Sequence, residues 1–532
     1  PAVEVFERGL RWSILQQVFS SWRSANVRAL VNSVAISIYT VLGAGAVGTF
    51  LAYLFYRFEF PLRRLLMAVA ALPLALPPLV GVLAFLFLYG ESGILPRTLQ
   101  MLLGLDAVPF AFEGLWAVWL VHVYTMYVYF YLFVASALRQ MDPGLLEASA
   151  DLGASSVRTF GLVVLPHLRP ALIGASLLVF MVSMASFTAP LLFAGNEHFL
   201  TLQIFNYKTN GNLDLSAAVS CVLTLICIAF LFMIEFGGKR RRVRSTSKGL
   251  TSAPLPLTGG YTRMLALLGA VFLLTLILLP IATIVLISLS EAGSWTTQVV
   301  PERYTFANYL SLFSEPDVLQ PIVNSLRMAA IATAANLLFG VAAGLLISKV
   351  RLPGTVLLRV LTALPFAIPG TVIAVNLIIT FNEPSALTMG RVLVGSFWIL
   401  PLAYFIRNIP FVVRAASAAL DGVPESLPEA SADLGARSGT TFRRVVLPLI
   451  LPGVLAGALL TFVAALGEFV SSIMLYVYAN RPISVEILAQ LRLFDFGAAA
   501  AYSVLLMIMV VAASVATRYV GRVRGHLGEA FL

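Results

Sequence analysis

Residues 147–153 read Glu-Ala-Ser-Ala-Asp-Leu-Gly, and residues 429–435 repeat these seven residues without a change. Nine residues after each copy comes Val-Val-Leu-Pro, at 163–166 and at 445–448. Ala, Glu and Leu favour a short helix, and a glycine can end it in a left-handed conformation. The later proline is typical of a chain that starts another helix. The pattern therefore predicts one short helix and turn that occurs twice.

Other segments repeat along with these two. Asn-Ser at 32–33 recurs at 324–325, and Leu-Pro at 72–73 recurs at 364–365, both at an offset of 292 residues. The seven-residue segments lie 282 residues apart, so one loop is shorter in the second half. An even number of predicted spans separates equivalent points, which indicates a parallel repeat with both halves in the same orientation.

The composition excludes a soluble cytosolic protein. Of 532 residues, 59% are hydrophobic and only 11% are charged, whereas a soluble protein has about a quarter charged residues. The sequence therefore predicts an all-α polytopic membrane protein, whose helices need about 20 apolar residues to cross roughly 30 Å of hydrocarbon. Eleven stretches qualify: Ala29–Phe55, Leu65–Tyr89, Leu115–Leu138, Ala171–Ala194, Leu215–Phe236, Leu265–Leu289, Ile322–Ile347, Val356–Phe381, Val392–Val413, Val454–Tyr478 and Ala498–Val515.

Basic residues set the orientation and the domain boundaries. Lys and Arg are retained on the cytoplasmic side during insertion, and one orientation places 24 of the 35 inside. These inside segments are residues 57–64, 139–169, 239–263, 349–359, 407–444 and 518–524. The predicted division is a first domain at 1–236, a basic cytoplasmic linker at 237–260 and a second domain at 261–532. Because the basic residues flank spans, no nucleic-acid partner is expected.

The second half opens with an apolar stretch, Leu265–Leu289, that has no counterpart in the first half. We expect the parent protein to have twelve spans, six in each half, with the first span absent from this sequence. Removal of a signal-like first helix during maturation is the competing explanation.

The chain carries no predicted site for chemistry of its own. No Gly-x-x-x-x-Gly-Lys-Ser/Thr loop occurs, and Gly-Gly-Lys-Arg at 237–240 lacks both the spacing and the hydroxyl residue. The two cysteines, Cys221 and Cys227, share one apolar stretch and predict neither a disulfide framework nor a metal cluster. No catalytic residue, bound cofactor or metal site is predicted in this chain, and we expect that it is not an enzyme.

The twin segments resemble the signature of ATP-binding-cassette (ABC) importer permeases, in which Glu-Ala-Ala is followed after three residues by Gly and later by Ile-x-Leu-Pro. Here Ser replaces the second Ala, the third residue of the signature, and Val replaces Ile in both copies. The resemblance covers nearly the whole chain and implies the type I importer fold as two fused permease domains. It also implies that each segment is a coupling helix for a cytoplasmic ATPase. The residues concerned are Glu147, Ala148, Asp151, Gly153, Glu429, Ala430, Asp433 and Gly435.

The resemblance also implies partners. Two copies of an ATPase subunit would bind ATP and Mg²⁺, and a periplasmic or lipid-anchored binding protein would deliver substrate to a multi-pass protein of the bacterial inner membrane, surrounded by membrane lipids. An amphipathic helix that rests on the membrane surface is the alternative interpretation of the twin segments. Two copies at matched positions favour the coupling interpretation.

The substrate is inferred only from finer resemblance. Fusion of two domains in one chain, with residues 195–199, 467–470 and 480–484, resembles ferric iron permeases. Thiamine, aminoethylphosphonate and polyamine permeases are the alternatives. An ion-coupled secondary transporter remains a different class, because it also has repeats and kinked helices. A membrane scaffold or sensor is a third class and predicts no substrate flux.

A few polar residues inside the predicted spans are candidates for the transport pathway. Glu468 is an acid deep in a predicted span, and Ser186 is its counterpart in the first half. An ionisable group there is costly to bury, so either a pathway or a polar contact between helices is expected. His122 and Tyr124 lie in an aromatic-rich stretch, where packing between helices is the alternative to substrate contact.

Overall fold

The protein is described by a computed structural model, which covers residues 2–21, 24–238, 255–257, 259–295, 298–349, 354–384 and 388–523. Helices predominate, since a backbone in hydrocarbon must satisfy its own hydrogen bonds. Within these ranges, ten helices are long and apolar enough to cross a membrane, and a bent helix pair raises the number to eleven. The predicted all-α polytopic class is confirmed.

In the described part of the first half there are fourteen α-helices. They are α1 (Ala2–Gly9), α2 (Trp12–Phe19), α3 (Ala25–Arg57), α4 (Arg63–Ala70), α5 (Leu72–Ala75), α6 (Pro78–Tyr89), α7 (Ile94–Leu103), α8 (Gly114–Arg139), α9 (Gly144–Asp151), α10 (Ser156–Thr159), α11 (Leu165–Met184), α12 (Thr188–Phe193), α13 (Leu200–Thr209) and α14 (Leu213–Gly238).

Within the residues that the structure describes, the second half contains twelve α-helices, and most of them follow the order of their first-half counterparts. They are α15 (Gly260–Ser288), α16 (Ala307–Ser314), α17 (Pro316–Ser348), α18 (Thr355–Ala367), α19 (Gly370–Phe381), α20 (Ile399–Asp421), α21 (Ser426–Asp433), α22 (Ser438–Thr441), α23 (Leu447–Leu466), α24 (Val470–Leu475), α25 (Ile483–Arg492) and α26 (Phe496–Val523). Helices α3 and α17 both have 33 residues, and α11 and α23 both have 20. The predicted tandem repeat is confirmed at the level of single elements.

Two short strands join the halves. Strand β1 (Phe58–Glu59) follows α3 and pairs in parallel with β2 (Leu255–Pro256), which precedes α15. Most of the predicted linker, 237–260, lies outside the described residues, but its β2 end is held against the first half. The helices also cross over: α15 packs on α4 and α6, and α14 packs on α18 and α19. The two halves therefore form one interlocked bundle.

Five predicted spans differ from the helices that form. The stretch 65–89 is divided among α4, α5 and α6 at Ala71 and at Leu76–Pro77, and its repeat, 356–381, bends by 110° between α18 and α19. The predicted span 171–194 extends past the end of α11 into α12, and 454–478 extends past the end of α23 into α24. The predicted span 392–413 begins too early, since α20 starts at Ile399. The residues on both sides of each helix break are apolar, so hydrophobicity alone did not indicate where the helices end.

Pro166 and Pro448 are the second residues of the α-helices α11 and α23, which agrees with the predicted helix starts, but the chain is already helical before them. Both lie inside helices that run without interruption over 156–184 and 438–466. The backbone widens into a π-turn just before each proline, at Phe160–Val164 and Phe442–Val446. Proline lacks an N–H and its ring collides with the carbonyl four residues earlier, so a wider turn accommodates it within a continuous helix.

Candidate functional site

The twin segments form two equal eight-residue helices, α9 and α21, each ended by a left-handed glycine. The φ angle is +71° at Gly153 and +80° at Gly435, so the predicted glycine ending is confirmed. In each copy the glycine N–H and the next N–H donate back to the last turn of the helix. The four donor–acceptor pairs are Gly153–Ala150 (2.9 Å), Ala154–Ser149 (3.1 Å), Gly435–Ala432 (2.8 Å) and Ala436–Ser431 (3.1 Å). This Schellman pattern fixes the turn that follows each helix.

A pair of hydroxyl groups ties each short helix to the long helix that follows. Ser149 Oγ lies 2.8 Å from Thr159 Oγ1, and Ser431 Oγ lies 2.9 Å from Thr441 Oγ1. These serines occupy the position of the second alanine in the Glu-Ala-Ala signature that the segments resemble. The substitution of Ser for Ala in the signature therefore provides the same tertiary hydroxyl contact in both halves. Each short helix is held at a fixed angle to the spanning helix behind it.

The tip of each element is an exposed leucine beside the glycine. Leu152 is 87% exposed and Leu434 is 89% exposed, although leucine is usually buried. Around these tips the residues predicted for coupling are all exposed: Glu147, Ala148, Asp151, Gly153, Glu429, Ala430, Asp433 and Gly435. Sequence reasoning did not single out the leucines, although their identical recurrence was available as a signal. Each element offers an apolar tip with carboxylates beside it.

Removal of one hydroxyl from the first pair is expected to loosen α9. Ser149→Ala leaves the buried Thr159 hydroxyl without its partner, at a cost of about 1–3 kcal/mol. Hydrogen exchange of the α9 amides should rise accordingly in the purified protein. The matched control is Ser149→Ala with Thr159→Val, which removes both hydroxyls and should cost much less. Equal exchange in the single and double variants would contradict this role of the pair.

Deeper in the bundle, the two halves meet at equivalent helix breaks. Helix α11 ends before α12 begins at Thr188, and α23 ends before α24 begins at Val470. The rings of Phe187 and Phe469, one from each break, lie 6.2 Å apart at 37°, and both side chains are buried. The breaks thus place equivalent residues of the two halves face to face.

The first-half break brings together two of the predicted pathway residues. His122 Nε2 lies 2.8 Å from Ser186 Oγ, and its Nδ1 lies 3.2 Å from Ser183 Oγ. Tyr124 does not join them, because its hydroxyl donates to the carbonyl of Ile277 in α15 at 2.7 Å. Tyr124 thus connects the first half to α15, whereas His122 connects α8 to the end of α11.

The second-half break contains Glu468, which lies between α23 and α24 instead of inside one spanning helix as predicted. Glu468 is 7% exposed, and its Oε2 lies 2.8 Å from Arg407 Nε in α20. Its Oε1 accepts the N–H of Ser471 at 2.9 Å. Arg407 was assigned to an inside segment at 407–444, which is wrong at its start because α20 continues to Asp421. A charge inside a predicted span was the signal that should have identified Arg407.

A second buried acid was missed by the sequence analysis. Glu486 in α25 is 2% exposed and forms an ion pair with Arg481. In the first half, Gln203 and His198 occupy the equivalent positions, with Gln203 Nε2 3.4 Å from His198 Nδ1. Since both halves make this contact, it stabilises α13 and α25 in their respective repeats. Within the described ranges no group of three or more His, Cys, Asp or Glu residues could hold a metal ion.

The sequence is similar to known transport proteins over most of its length. Residues 44–244 and 336–524 match the family described as binding-protein-dependent transport system inner membrane component. The chain is 30% identical to a probable ABC transporter permease protein of Sinorhizobium fredii, over 87% of this chain and 82% of that relative. The two matched ranges correspond to the two structural repeats.

Two further relatives have named substrates. A ferric transport system permease protein of Actinobacillus pleuropneumoniae is 28% identical, over 83% of this chain and 63% of the relative. A sulfate transport system permease protein of Salmonella typhimurium is 30% identical over 48% of this chain and 92% of the relative. The sulfate relative therefore matches about one half of the chain, and the ferric relative spans both halves.

The family is a transport component and not an enzyme, and its repeats have the type I importer fold that the helices display. The repeated family match, the equal helices of the two halves and the full-length relative agree with one another. The chain belongs to the binding-protein-dependent transport system inner membrane components, as a multi-pass ABC permease of the fused two-domain type.

Proposed function

We propose that this permease carries ferric iron inward across the bacterial inner membrane. A periplasmic or lipid-anchored binding protein delivers the ion, and two copies of a cytoplasmic ATPase bind ATP with Mg²⁺ and drive transport. The observation that supports ATPase binding is the exposure of Leu152 and Leu434 at the tips of the two twin segments. An apolar side chain in water that is flanked by carboxylates suits a cleft with an apolar floor and basic walls.

The structure supports transmission of force from these tips to the membrane. Each tip is rigidly ended by its glycine, tied by a hydroxyl pair to the following helix, and continuous with it through the π-turn. At the far end of α11, the contact between His122 and Ser186 joins α8 to the break that follows α11. At the far end of α23, the ion pair between Arg407 and Glu468 joins α20 to the break that follows α23. A displaced tip would therefore move two joined helices as one body.

The ferric assignment is supported by resemblance over both halves. The ferric relative shares the fused arrangement across 83% of this chain, whereas the sulfate relative matches 48% of it. Sulfate is the second candidate because that half-length match has the higher identity, 30% against 28%. Thiamine, aminoethylphosphonate and polyamines are the remaining substrates to be compared.

Transport by the reconstituted complex tests this proposal. Proteoliposomes containing the permease and its ATPase are supplied with binding protein loaded with radioactive Fe³⁺ or with sulfate, with ATP or with only an ion gradient. We expect ATP-dependent iron uptake and no uptake from the gradient alone. Sulfate uptake would overturn the ferric assignment. Gradient-driven uptake without ATP would identify a secondary transporter, and no flux under any condition would support a scaffold.

A further inference from the structure

The internal repeat offers a comparison within one molecule for the two helix breaks. Contacts that both halves make are required to build a break, because a break exposes backbone groups that must find partners. Polar groups that only one half carries are not required for that purpose. They are available for a function specific to that half.

The shared contacts are hydroxyl caps on the broken backbone. Thr201 Oγ1 donates to the carbonyl of Ser186 at 2.7 Å, and Ser484 Oγ donates to the carbonyl of Glu468 at 2.9 Å. The first residues of α13 and α25 are likewise capped by serines of α3 and α17, at 3.1 and 2.8 Å. These contacts are structural in both halves.

The second half adds a charged and hydroxyl-rich group around Glu468. Arg407 occupies the position of Thr125, and Glu468 that of Ser186. Ser471 and Ser472, the second and third residues of α24, correspond to Ala189 and Pro190 in α12. Ser472 Oγ donates to the Glu468 carbonyl at 2.6 Å and lies 2.7 Å from the hydroxyl of Tyr404. In the first-half break Ser186 and Thr125 carry uncharged hydroxyls, Ala189 and Pro190 carry no side-chain oxygen, and His122 replaces Tyr404, so the charged pair and the Ser471 and Ser472 hydroxyls belong only to the second half.

The bend between α18 and α19 completes this group. An added Cβ at Gly370 would lie 2.5 Å from Arg407 Nη1 and 3.2 Å from Ser471 Oγ, so only glycine allows this close approach without displacement of the arginine. The next residue, Thr371, is fully buried, and its hydroxyl has no hydrogen-bond partner among the described residues. Its first-half counterpart is Leu79, so this unpartnered polar group also belongs only to the second half.

The group lies where the two halves meet. Glu468 directly precedes Phe469, whose ring faces Phe187 of the first half. Gly467, which directly precedes Glu468, packs against Pro77 of the first half: a Cβ added at Gly467 would lie 3.4 Å from the Cβ of Pro77. In transporters built from repeats, substrate sites lie at the repeat interface beside discontinuous helices. The Arg407 side chain is 33% exposed although its partner is 8% exposed, so the ion pair is accessible from the arginine side.

We propose that Glu468 is a transient ligand for a hard multivalent cation in transit, and that Arg407 is the resident counterion which the cation displaces. The inference rests on the proposed iron transport and names the site that the ion passes. Carboxylate and hydroxyl oxygens are the donors that hard cations prefer. One carboxylate with neighbouring hydroxyls binds more weakly than a storage site, and transit requires that the ion leave again. The resident arginine keeps the buried carboxylate compensated between transport events.

Substitutions at the ion pair test the inference in the complete complex with ATPase, binding protein and radioactive Fe³⁺. Glu468→Gln is expected to lower ATP-driven uptake by about tenfold or more, because the charged ligand is lost. The double variant Glu468→Gln with Arg407→Gln leaves no uncompensated charge and should stay equally inactive. Arg407→Gln alone, with its folding verified by thermal unfolding, should retain more uptake than Glu468→Gln.

A matched control comes from the other buried ion pair of the same half. Glu486→Gln combined with Arg481→His installs both residues that the first half uses at the equivalent positions, Gln203 and His198, so no buried charge is left unpaired and uptake should stay within about twofold of wild type. Thermal unfolding of every variant separates loss of folding from loss of transport.

Two results would overturn the inference. Recovery of wild-type uptake in the Glu468→Gln, Arg407→Gln double variant would show that the pair serves only structure. Uptake by Glu468→Gln that exceeds uptake by Arg407→Gln would assign the site to an anion. Failure of the wild-type complex to take up iron would overturn the proposed function itself. Uptake by the wild-type complex is therefore measured first, before any variant is compared with it.

Discussion

Gly153→Val combined with Gly435→Val is expected to lower ATP-driven uptake by at least about tenfold while the membrane helices remain folded. A β-branched residue at a φ of +71° or +80° is strained by about 1–2 kcal/mol. The strain weakens the two backbone hydrogen bonds that end each short helix, so Leu152 and Leu434 lose their fixed positions. Uptake and ATPase co-purification are measured on the same proteoliposome preparations.

The control for this variant uses glycines of the same elements that have ordinary backbone angles. Gly161 and Gly439 are exposed, have no left-handed φ, and have open space where a Cβ would lie. Gly161→Val with Gly439→Val should therefore transport at close to the wild-type rate. Normal uptake together with stable ATPase association in the Gly153→Val, Gly435→Val variant would contradict the role assigned to the two turns.

Leu152→Asp combined with Leu434→Asp is expected to prevent ATPase binding almost completely. If each leucine enters an apolar cleft, the substitution places an unpaired carboxylate there, at a cost of at least about 2 kcal/mol for each tip. If the costs of the two substitutions add, the affinity of the permease for the ATPase falls by about a thousandfold. The measurement is the amount of ATPase that co-purifies with the permease, followed by iron uptake.

The matched control retains the apolar character of the tips. Leu152→Met with Leu434→Met changes shape but not polarity, so ATPase binding should stay near the wild-type level. Since both leucines are almost fully exposed, neither pair of substitutions should affect the folding of the permease. Undiminished co-purification of the ATPase with the aspartate variant would show that the tips lie outside the interface.

Much of the fold could be predicted because its determinants are local. The apolar stretches and the glycines of the twin segments each act within a few residues, and the structure has corresponding helices and turns. The two halves were predictable for a different reason, because identical short segments recur at fixed offsets of 282 and 292 residues. The left-handed ending at Gly153 is an example, since the seven-residue segment contains both the helix and the residue that ends it.

Helix breaks could not be placed from composition. Residues 185–187 and 467–469 are flanked by apolar residues, and the caps that stabilise the breaks come from Thr201 and Ser484, more than ten residues later. Pro166 lies at the start of α11 as predicted, but the π-turn that joins α11 to the helical turns before it was not indicated by the sequence. Tertiary partners and backbone geometry decide these points, and neither is visible in a hydropathy pattern.

The candidate site was predictable in part for the same reason. The twin segments were identified by identity alone, whereas the exposure of Leu152 and Leu434 depends on how the elements project from the bundle. Glu468 was identified as an ionisable residue, but its partner Arg407 is 61 residues away in sequence, where the predicted span 392–413 and the predicted inside segment 407–444 overlap, and it was not singled out. The contacts between halves at Phe187 and Phe469 required the structure.

Thiol protection at the two tips tests most directly whether they receive the ATPase. Cysteines are placed singly at Leu152 and Leu434, and the native Cys221 and Cys227 provide little background because both are buried. The rate of maleimide labelling is measured for the permease alone and for its complex with the ATPase. The account predicts rapid labelling of either cysteine in the permease alone and strong protection of both in the complex. Undiminished labelling of both in a complex that retains its ATPase would contradict it.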